Sequence, residues 1–281
     1  MKISGFTIVR NARKFGYPVL ESIHSILPIC DEFVINVGDS EDDTLSLVRS
    51  IRDPKIKIIE NIWDMSMGEN MLSYQTNLAL KECAGDWAFY LQSDEVIHEN
   101  DLSHLKRFMV ESLHQDEVDC LRLQWLHFYG SYCRYRIDAG WFQKSERIIK
   151  NNGTIESYGD AAGFRRKDGR DLKRKKTGCL LYHYGWVQSS EMMAQRRLNA
   201  ERIGFAHLRP EERKKEYSFG NLNRFSVYFG THPAVMEERV RQHLLSQEDW
   251  QNICRRYWYH PARILRLRYK TGKRLKYKIE K

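Results

Sequence analysis

The 281-residue chain contains no run of about 18 apolar residues, the length a helix needs to cross a bilayer. Met1–Arg10 lacks the charged region, apolar stretch and cleavage site of a secretory leader and begins at once with strand-like sequence, so no leader is expected. Proline is scarce at 6 residues and glycine modest at 17, while hydrophobic residues reach 42% and aromatics 12%. That balance excludes disordered, collagenous and low-complexity chains, and the length suits one large domain or one domain with a modest appendage. Cysteine is sparse and scattered: Cys30, Cys83, Cys120, Cys133, Cys179 and Cys254 never stand at the close spacing a structural zinc site needs. Reduced, mostly buried thiols in a cytosolic protein are expected instead. No internal repeat is present.

Acidic residues are nearly absent from the C-terminus. Residues 254–281 hold eleven Lys and Arg against one Glu, so the formal net charge of +9 belongs to this tail and the rest of the chain is close to neutral. Ile, Leu and Tyr interleave the basic residues from Arg263 to Lys278. Such an amphipathic element would meet an anionic membrane surface or a nucleic acid, against the plainer reading of a solvated terminal helix with a frayed end. A second basic run, Arg165–Lys176, carries Asp168-Gly169 in its middle and too few apolar positions for a strand face, and reads as an exposed loop.

Between these basic runs and the N-terminus the pattern is regular. Ile3–Val9 is an apolar strand followed by the polar turn Arg10–Arg13 and a helix with apolar positions at helical spacing from Val19 to Leu27. Phe33–Val37 is a second strand, closed by Gly38-Asp39-Ser40-Glu41-Asp42-Asp43-Thr44, where Asp or Thr can cap the helix through Leu45, Val48 and Ile51. Ile56–Ile59, a helix over Ser73–Cys83 and the strand Trp87–Leu91 complete the alternation. Strands alternating with helices predict a parallel sheet covered on both faces, with ligands at its carboxyl edge. After residue 118 the pattern changes. Cys120–Leu126, Arg147–Ile149 and Gly178–Tyr184 read as strands, Tyr129–Trp141 as aromatic loop, and Glu191–Lys281 as mainly helical.

One segment carries the chemistry. In Gly85–Val96 an apolar strand delivers Asp94 and Glu95 to its carboxyl end, where ligands bind an open sheet. Adjacent carboxylates repel and lose solvation unless a cation or helix terminus compensates, and Mg²⁺ or Mn²⁺ shared with substrate phosphates suits the position. Taken alone, such a pair reads more simply as an exposed acidic turn capping the next helix.

The order and spacing of these segments resemble the N-terminal half of the inverting family 2 glycosyltransferases of the GT-A fold. The resemblance covers residues 3 to about 100 and rests on Asn11 after the first strand, Gly38–Thr44, Gln75-Thr76-Asn77-Leu78-Ala79-Leu80, and Gly85-Asp86-Trp87 running into Asp94-Glu95. It implies an α/β architecture: a GT-A-like, Rossmann-type mixed, mostly parallel sheet with helices on both faces and a helical C-terminal extension. It also implies a nucleoside-diphosphate sugar across the first strand ends, its diphosphate held through Mn²⁺ or Mg²⁺ by Asp94, with Glu95 assisting. Asn11, Asn77 and Gln92 are then nucleotide-binding candidates, Gln92 toward the ribose. Two departures stand out: Gln92 occupies a position where the family commonly has Asp, and Val37 replaces the first Asp of the family's Asp-x-Gly-Ser turn. Asn36 or Asp39 is left to meet the nucleobase.

Similar transferases often supply a late His to the metal or diphosphate. His183, ending a strand among aromatics, is that candidate or else a structural histidine. Inversion needs a general base for the acceptor hydroxyl. Asp160, flanked by small residues that let a substrate approach, is preferred over Asp138 and Glu156. The aromatics Trp125, Phe128, Tyr129, Tyr132, Tyr135, Trp141 and Phe142 would pack on acceptor sugar rings or form a second core.

The division expected is a nucleotide-sugar-binding half over residues 1–118, an acceptor-binding, catalytic half of the same domain over 119–190, and the helical, basic-tailed extension over 191–281. The leading reading is a metal-dependent inverting glycosyltransferase acting on a glycan or lipid-linked acceptor, cytoplasmic, with peripheral contact to an anionic inner membrane face. A nucleotidyltransferase is the alternative, disfavoured because Arg10–Arg13 contains no glycine for a phosphate loop. A nucleic-acid-binding protein using the tail is disfavoured by the near-neutral body.

Overall fold

The computed structural model describes residues 1–136, 144–204 and 206–246. Asp138, Trp141, Phe142, Cys254 and the basic tail lie outside the described residues.

Strands β1 (Ile3–Val9), β2 (Glu32–Gly38), β3 (Ile56–Asn61) and β4 (Trp87–Tyr90) pair in parallel in the order β3-β2-β1-β4. Every residue of β1 and β4 is buried, as continuous apolar runs require when helices cover both faces of a sheet. Helices α1 (Val19–Ile26), α2 (Thr44–Arg49) and α4 (Glu99–Ser112) pack Val19, Ile23, Val48, Leu105 and Met109 with Phe33 and Phe89 on one side. α3 (Met71–Lys81) covers the other side, setting Met71, Ala79 and Leu80 against Phe6, Val34 and Tyr90. The polar start of α4 has a local cause: His98 Nδ1 accepts from Asn100 N, and Glu99 and Asp101 complement the positive helix end.

Beyond β4 the pairing turns mainly antiparallel without breaking the sheet. β8 (Lys144–Lys150) joins β4 and then β6 (Cys120–Tyr129), and β6 continues to β7 (Arg134–Arg136) and β12 (Ser226–Val227). β11 (Arg174–Trp186) runs parallel to β6 and antiparallel to β5 (Glu95–Ile97), which immediately follows the loop after β4. One sheet therefore crosses residue 118. β9 (Ile155–Tyr158) and β10 (Gly163–Arg166) form a separate hairpin. α5 (Ser190–Arg202) and α6 (Glu237–Ser246) are joined by a segment of short 3-10 turns and β12.

Two local expectations are corrected. The run Arg165–Lys176 is not a single exposed loop: Arg165 and Arg166 lie in β10 beside buried Phe164, Arg174 opens β11, and Arg166 pairs with Asp119 and Asp168. Its four arginines are paired with carboxylates, which lets a strand form where composition argued against one. Part of the aromatic stretch after Tyr129 is likewise β7, held by its pairing with β6 and β12. The five described cysteines are free and buried, and burial pushes the Cys30 thiol up to about 12. Among the described residues, no helix is long and apolar enough to cross a membrane.

Candidate active site

The carboxyl ends of β1 and β4 open on a cavity of about 220 Å³ whose lining includes Ile8, Asn11, Trp63, Tyr90, Gln92 and Asp94. Side chains tie the loop after β1 to the loop after β2. Asn11 Oδ1 accepts from Glu41 N (2.7 Å), Asn11 N donates to Ser40 Oγ (3.0 Å) and Ala12 N donates to Thr44 Oγ1 (2.7 Å). Asn11 has φ +55°, a left-handed conformation that asparagine tolerates better than most residues. Asp39 accepts from two residues of the lining, Arg10 Nε (3.3 Å) and Trp63 N (3.1 Å).

The loop from β4 to β5 is built around Glu95. This residue is fully buried, and both its oxygens are engaged by buried Arg147 of β8: Nη2 donates to Oε1 (2.7 Å) and Nε to Oε2 (2.8 Å). Glu95 Oε2 also accepts from Gln92 N (3.0 Å), folding the loop back on itself. Thr7 Oγ1 donates to Leu91 O (2.6 Å) and Ser93 Oγ to Ile8 O (3.0 Å), which pins the loop to β1. Both oxygens of Glu95 are thus committed to an internal ion pair. The reading of it as a metal ligand gives way because Arg147, distant in sequence, supplies the compensating charge.

Asp94 is placed differently. It lines the cavity, its side chain is 17% exposed, and among the described residues no side chain hydrogen-bonds its carboxylate. Burial raises its pKa above the ordinary aspartate value, partly opposed by the positive charge of Arg196. His183 of β11 lies with Nε2 3.7 Å from Asp94 Oδ2. Burial pushes the His183 pKa down to about 4, so the ring is neutral at physiological pH. Gly185 makes this approach possible: a Cβ there would stand 2.5 Å from Asp94 Oδ2 and 2.8 Å from His183 Nε2. Arg196 of α5 donates to Phe15 O (2.8 Å) and Gly185 O (2.6 Å), drawing α5 against the site. Asn199 and Ile203, farther along that segment, join the cavity wall.

The structure brings Asn11, Gln92 and Asp94 together around the cavity, with His183 beside Asp94. Asn36 is instead buried in β2, its Nδ2 donating to Gln75 O and Oε1 (both 2.9 Å) and its Oδ1 accepting from Asn61 Nδ2 (2.9 Å). Asn77 joins α3 to β9 through Ser157, donating to its O (2.9 Å) and accepting from its N (2.8 Å). Both amides are spent on packing. Asp160 stands exposed in the turn between β9 and β10, with Oδ1 accepting from Ala162 N (3.1 Å). That turn hangs from the site by two bonds, Gln92 Nε2 to Ala161 O (3.3 Å) and Arg147 Nη1 to Ala162 O (2.8 Å). Glu156 pairs with Arg165 (2.9 Å). Among the described residues, no three His, Cys, Asp or Glu side chains gather as a metal site.

Sequence reasoning passed over Arg147 and Arg196, both buried and both organising the site. Arg147 left a usable signal, a single Arg directly before the apolar pair Ile148-Ile149. Arg196 left none, since α5 is rich in charge throughout.

The family model described as glycosyl transferase family 2 matches residues 6–172. No curated protein matches the sequence. Among solved structures, S. aureus TarS 1-349 in complex with UDP-GlcNAc is 18% identical with a TM-score of 0.47, over 76% of this chain and 69% of that one. Another TarS structure aligns at 18% identity and a TM-score of 0.43, over 76% of this chain, which spans only 41% of that protein's length. The mannosyltransferase PcManGT from Pyrobaculum calidifontis, in complex with GDP-Man and Mn²⁺, is 18% identical with a TM-score of 0.35, over 43% of this chain and 35% of that one. Likenesses of this size carry no weight for donor or metal here.

Proposed function

The chain belongs to glycosyl transferase family 2, and from that premise we propose that it moves a sugar, with inversion, from a nucleoside diphosphate to a glycan or lipid-linked acceptor, using Mn²⁺ or Mg²⁺ at Asp94. The observation that carries this reading is Asp94 itself: a desolvated carboxylate without a side-chain hydrogen-bond donor among the described residues, lining the cavity at the strand ends beside a neutral histidine. One carboxylate and one imidazole, completed by diphosphate oxygens, form a donor set suited to such a cation. When bound, the cation acts as a Lewis acid on the departing diphosphate.

The chain's own groups have separate tasks. Gln92 offers its amide to a ribose hydroxyl, and Ile8, Trp63 and Tyr90 wall the nucleotide from water. Asp160 takes the acceptor's proton at Oδ2, since Oδ1 is held by Ala162 N. Gln92 and Arg147 keep its turn beside the site. A donor-hydrolysis screen over nucleotide sugars with Mn²⁺ and Mg²⁺ tests the reading. Metal-dependent release of a nucleoside diphosphate is expected, and its absence with every donor would sink the proposal.

Asp160→Ala should retain donor binding and lower turnover by roughly two to four orders of magnitude, the usual contribution of a general base. Nucleotide titration beside steady-state kinetics checks this; full turnover in the variant would pass the role to Asp138. The basic tail supports a second expectation. Each Lys or Arg near an anionic leaflet contributes on the order of 1 kcal/mol, and salt screens that attraction. The full chain should therefore sediment with anionic vesicles at low salt and be released at high salt, while a chain ending near Cys254 stays in the supernatant and keeps donor hydrolysis. Equal binding to neutral vesicles would contradict an electrostatic role for the tail.

A further inference from the structure

Three consecutive carbonyls in the loop between β1 and α1 accept hydrogen bonds from side chains far along the chain. Phe15 O accepts from Arg196 Nε (2.8 Å) and Nη2 (2.5 Å), Gly16 O from Gln188 Nε2 (2.8 Å), and Tyr17 O from Arg239 Nη2 (3.3 Å). The donors stand just before α5, in α5 and in α6, all beyond residue 172, where the family match ends. Phe15 and Tyr17 line the cavity, so whatever holds their backbone sets part of its wall. Gly16 between them has φ +64°, and a Cβ there would stand 2.9 Å from Gln188 Nε2, so the approach of Gln188 requires a glycine. Arg196 makes the widest set of contacts. Its Nη1 donates to Gly185 O (2.6 Å), next to Asp94 and His183, and its guanidinium carbon lies 4.2 Å from the centre of the Tyr17 ring. It is 8% exposed, and among the described residues no carboxylate pairs with it. A guanidinium taken out of water in this way depends on the carbonyls and the ring face around it. One side chain therefore joins three parts of the cavity wall: the loop, the end of β11, and α5 with Asn199.

We propose that Arg196, with Gln188, is a positioning residue for the donor: the segment after β11 fixes the loop that carries Phe15 and Tyr17, and so belongs to the donor site and is not an appendage to it. This rests on the reading of the cavity as the nucleotide-sugar site. Within the loop, Phe15 N donates to Asn11 O (3.0 Å) and Tyr17 N to Ala12 O (2.9 Å). Those bonds fold the turn, while the carbonyls of residues 15–17 are held from outside it. A displacement of about 1 Å in a positioning element can cost 10²-fold. The two aromatic walls meet the donor before and during transfer alike, so the loss belongs to donor KM and not to kcat.

Hydrogen exchange and steady-state kinetics of the full chain test this together. In Arg196→Met the Phe15 and Tyr17 amides should exchange roughly tenfold faster, while those of β2 and β3 keep their rates. With Mn²⁺ and the donor that the hydrolysis screen selects, the same variant should raise donor KM by roughly 10–100-fold with kcat nearly unchanged. A merely structural role would shrink the folded fraction, lowering kcat at constant KM. Arg196→Lys, which keeps the charge and a donor for one carbonyl, should recover part of the loss. Gln188→Ala removes one bond and no charge, so it separates position from the charge that Arg196 presents to Asp94, and a rise of roughly 3–10-fold in donor KM is expected. Unaltered exchange in the loop, or an unaltered donor KM in Arg196→Met and Gln188→Ala, would overturn the proposal. A chain that turns over no donor would sink the nucleotide-sugar reading instead, and the exchange comparison would still decide whether the loop is held from the C-terminal side. Should Arg196→Met not fold, Gln188→Ala carries both measurements.

Discussion

Asp94→Asn should abolish metal-dependent nucleotide binding while the protein melts at the same temperature or higher. The two halves of this expectation have one cause. Asp94 is desolvated in the folded chain, and burial raises its pKa, so its charged form is disfavoured by folding. An amide of the same shape relieves that cost and leaves the neighbours in place, because no side-chain hydrogen bond among the described residues depends on the carboxylate. The same substitution removes the one carboxylate that lines the cavity among the described residues. A cation ligand supplies several kcal/mol to the stabilisation of a leaving diphosphate, so a loss of roughly two to four orders of magnitude in kcat/KM follows. Calorimetric titration with a nucleoside diphosphate and Mn²⁺, beside a thermal melt, checks both halves. Unchanged affinity would remove Asp94 from the site, and a markedly lowered melting temperature would make it structural.

Its neighbour should behave in the opposite way. Glu95→Gln leaves the guanidinium of Arg147 buried without a full counter-charge, and breaking a buried pair from one side costs about 3–5 kcal/mol. In a chain of this size that corresponds to a fall of roughly 6–20 °C in melting temperature. Arg147 also holds Ala162 O, and Glu95 holds Gln92 N, so the Asp160 turn and the Gln92 loop loosen together. Replacing both partners at once with apolar residues of similar volume should restore much of the stability, because no unpaired charge remains. Denaturant unfolding of the single and double variants measures this. A Glu95→Gln protein as stable as its parent, with weakened cation binding, would reinstate Glu95 as a ligand.

The contrast between these adjacent carboxylates shows where a reading from sequence stops. Both were legible as chemistry at a strand end, since an apolar strand running into Asp-Glu is a local pattern. Which of the two faces the cavity depends on Arg147, which follows 52 residues after Glu95. The same holds for Asn36 and Asn77. Each is a polar residue in a promising segment, and each is consumed by a partner that only packing supplies, Gln75 and Asn61 for one and Ser157 for the other. His183 was legible as a histidine at a strand end, but not its apposition to His127, which the β6–β11 register creates. Asp138 and the tail lie outside the described residues.

What the sequence by itself determined is the parallel core. The apolar runs of β1, β2 and β4, the helical periodicity of α1 and the turn after β2 are set by contacts within a few residues, and such patterns specify strand and helix wherever a face is buried. The tertiary structure alone decided which polar groups are free to do chemistry. Charges and amides are satisfied by whatever partner the fold brings within about 3 Å, and for Glu95, Asn36, Asn77 and Arg166 that partner comes from another element. Asp94 is left without such a partner among the described residues, which is why we propose it as the ligand-binding group.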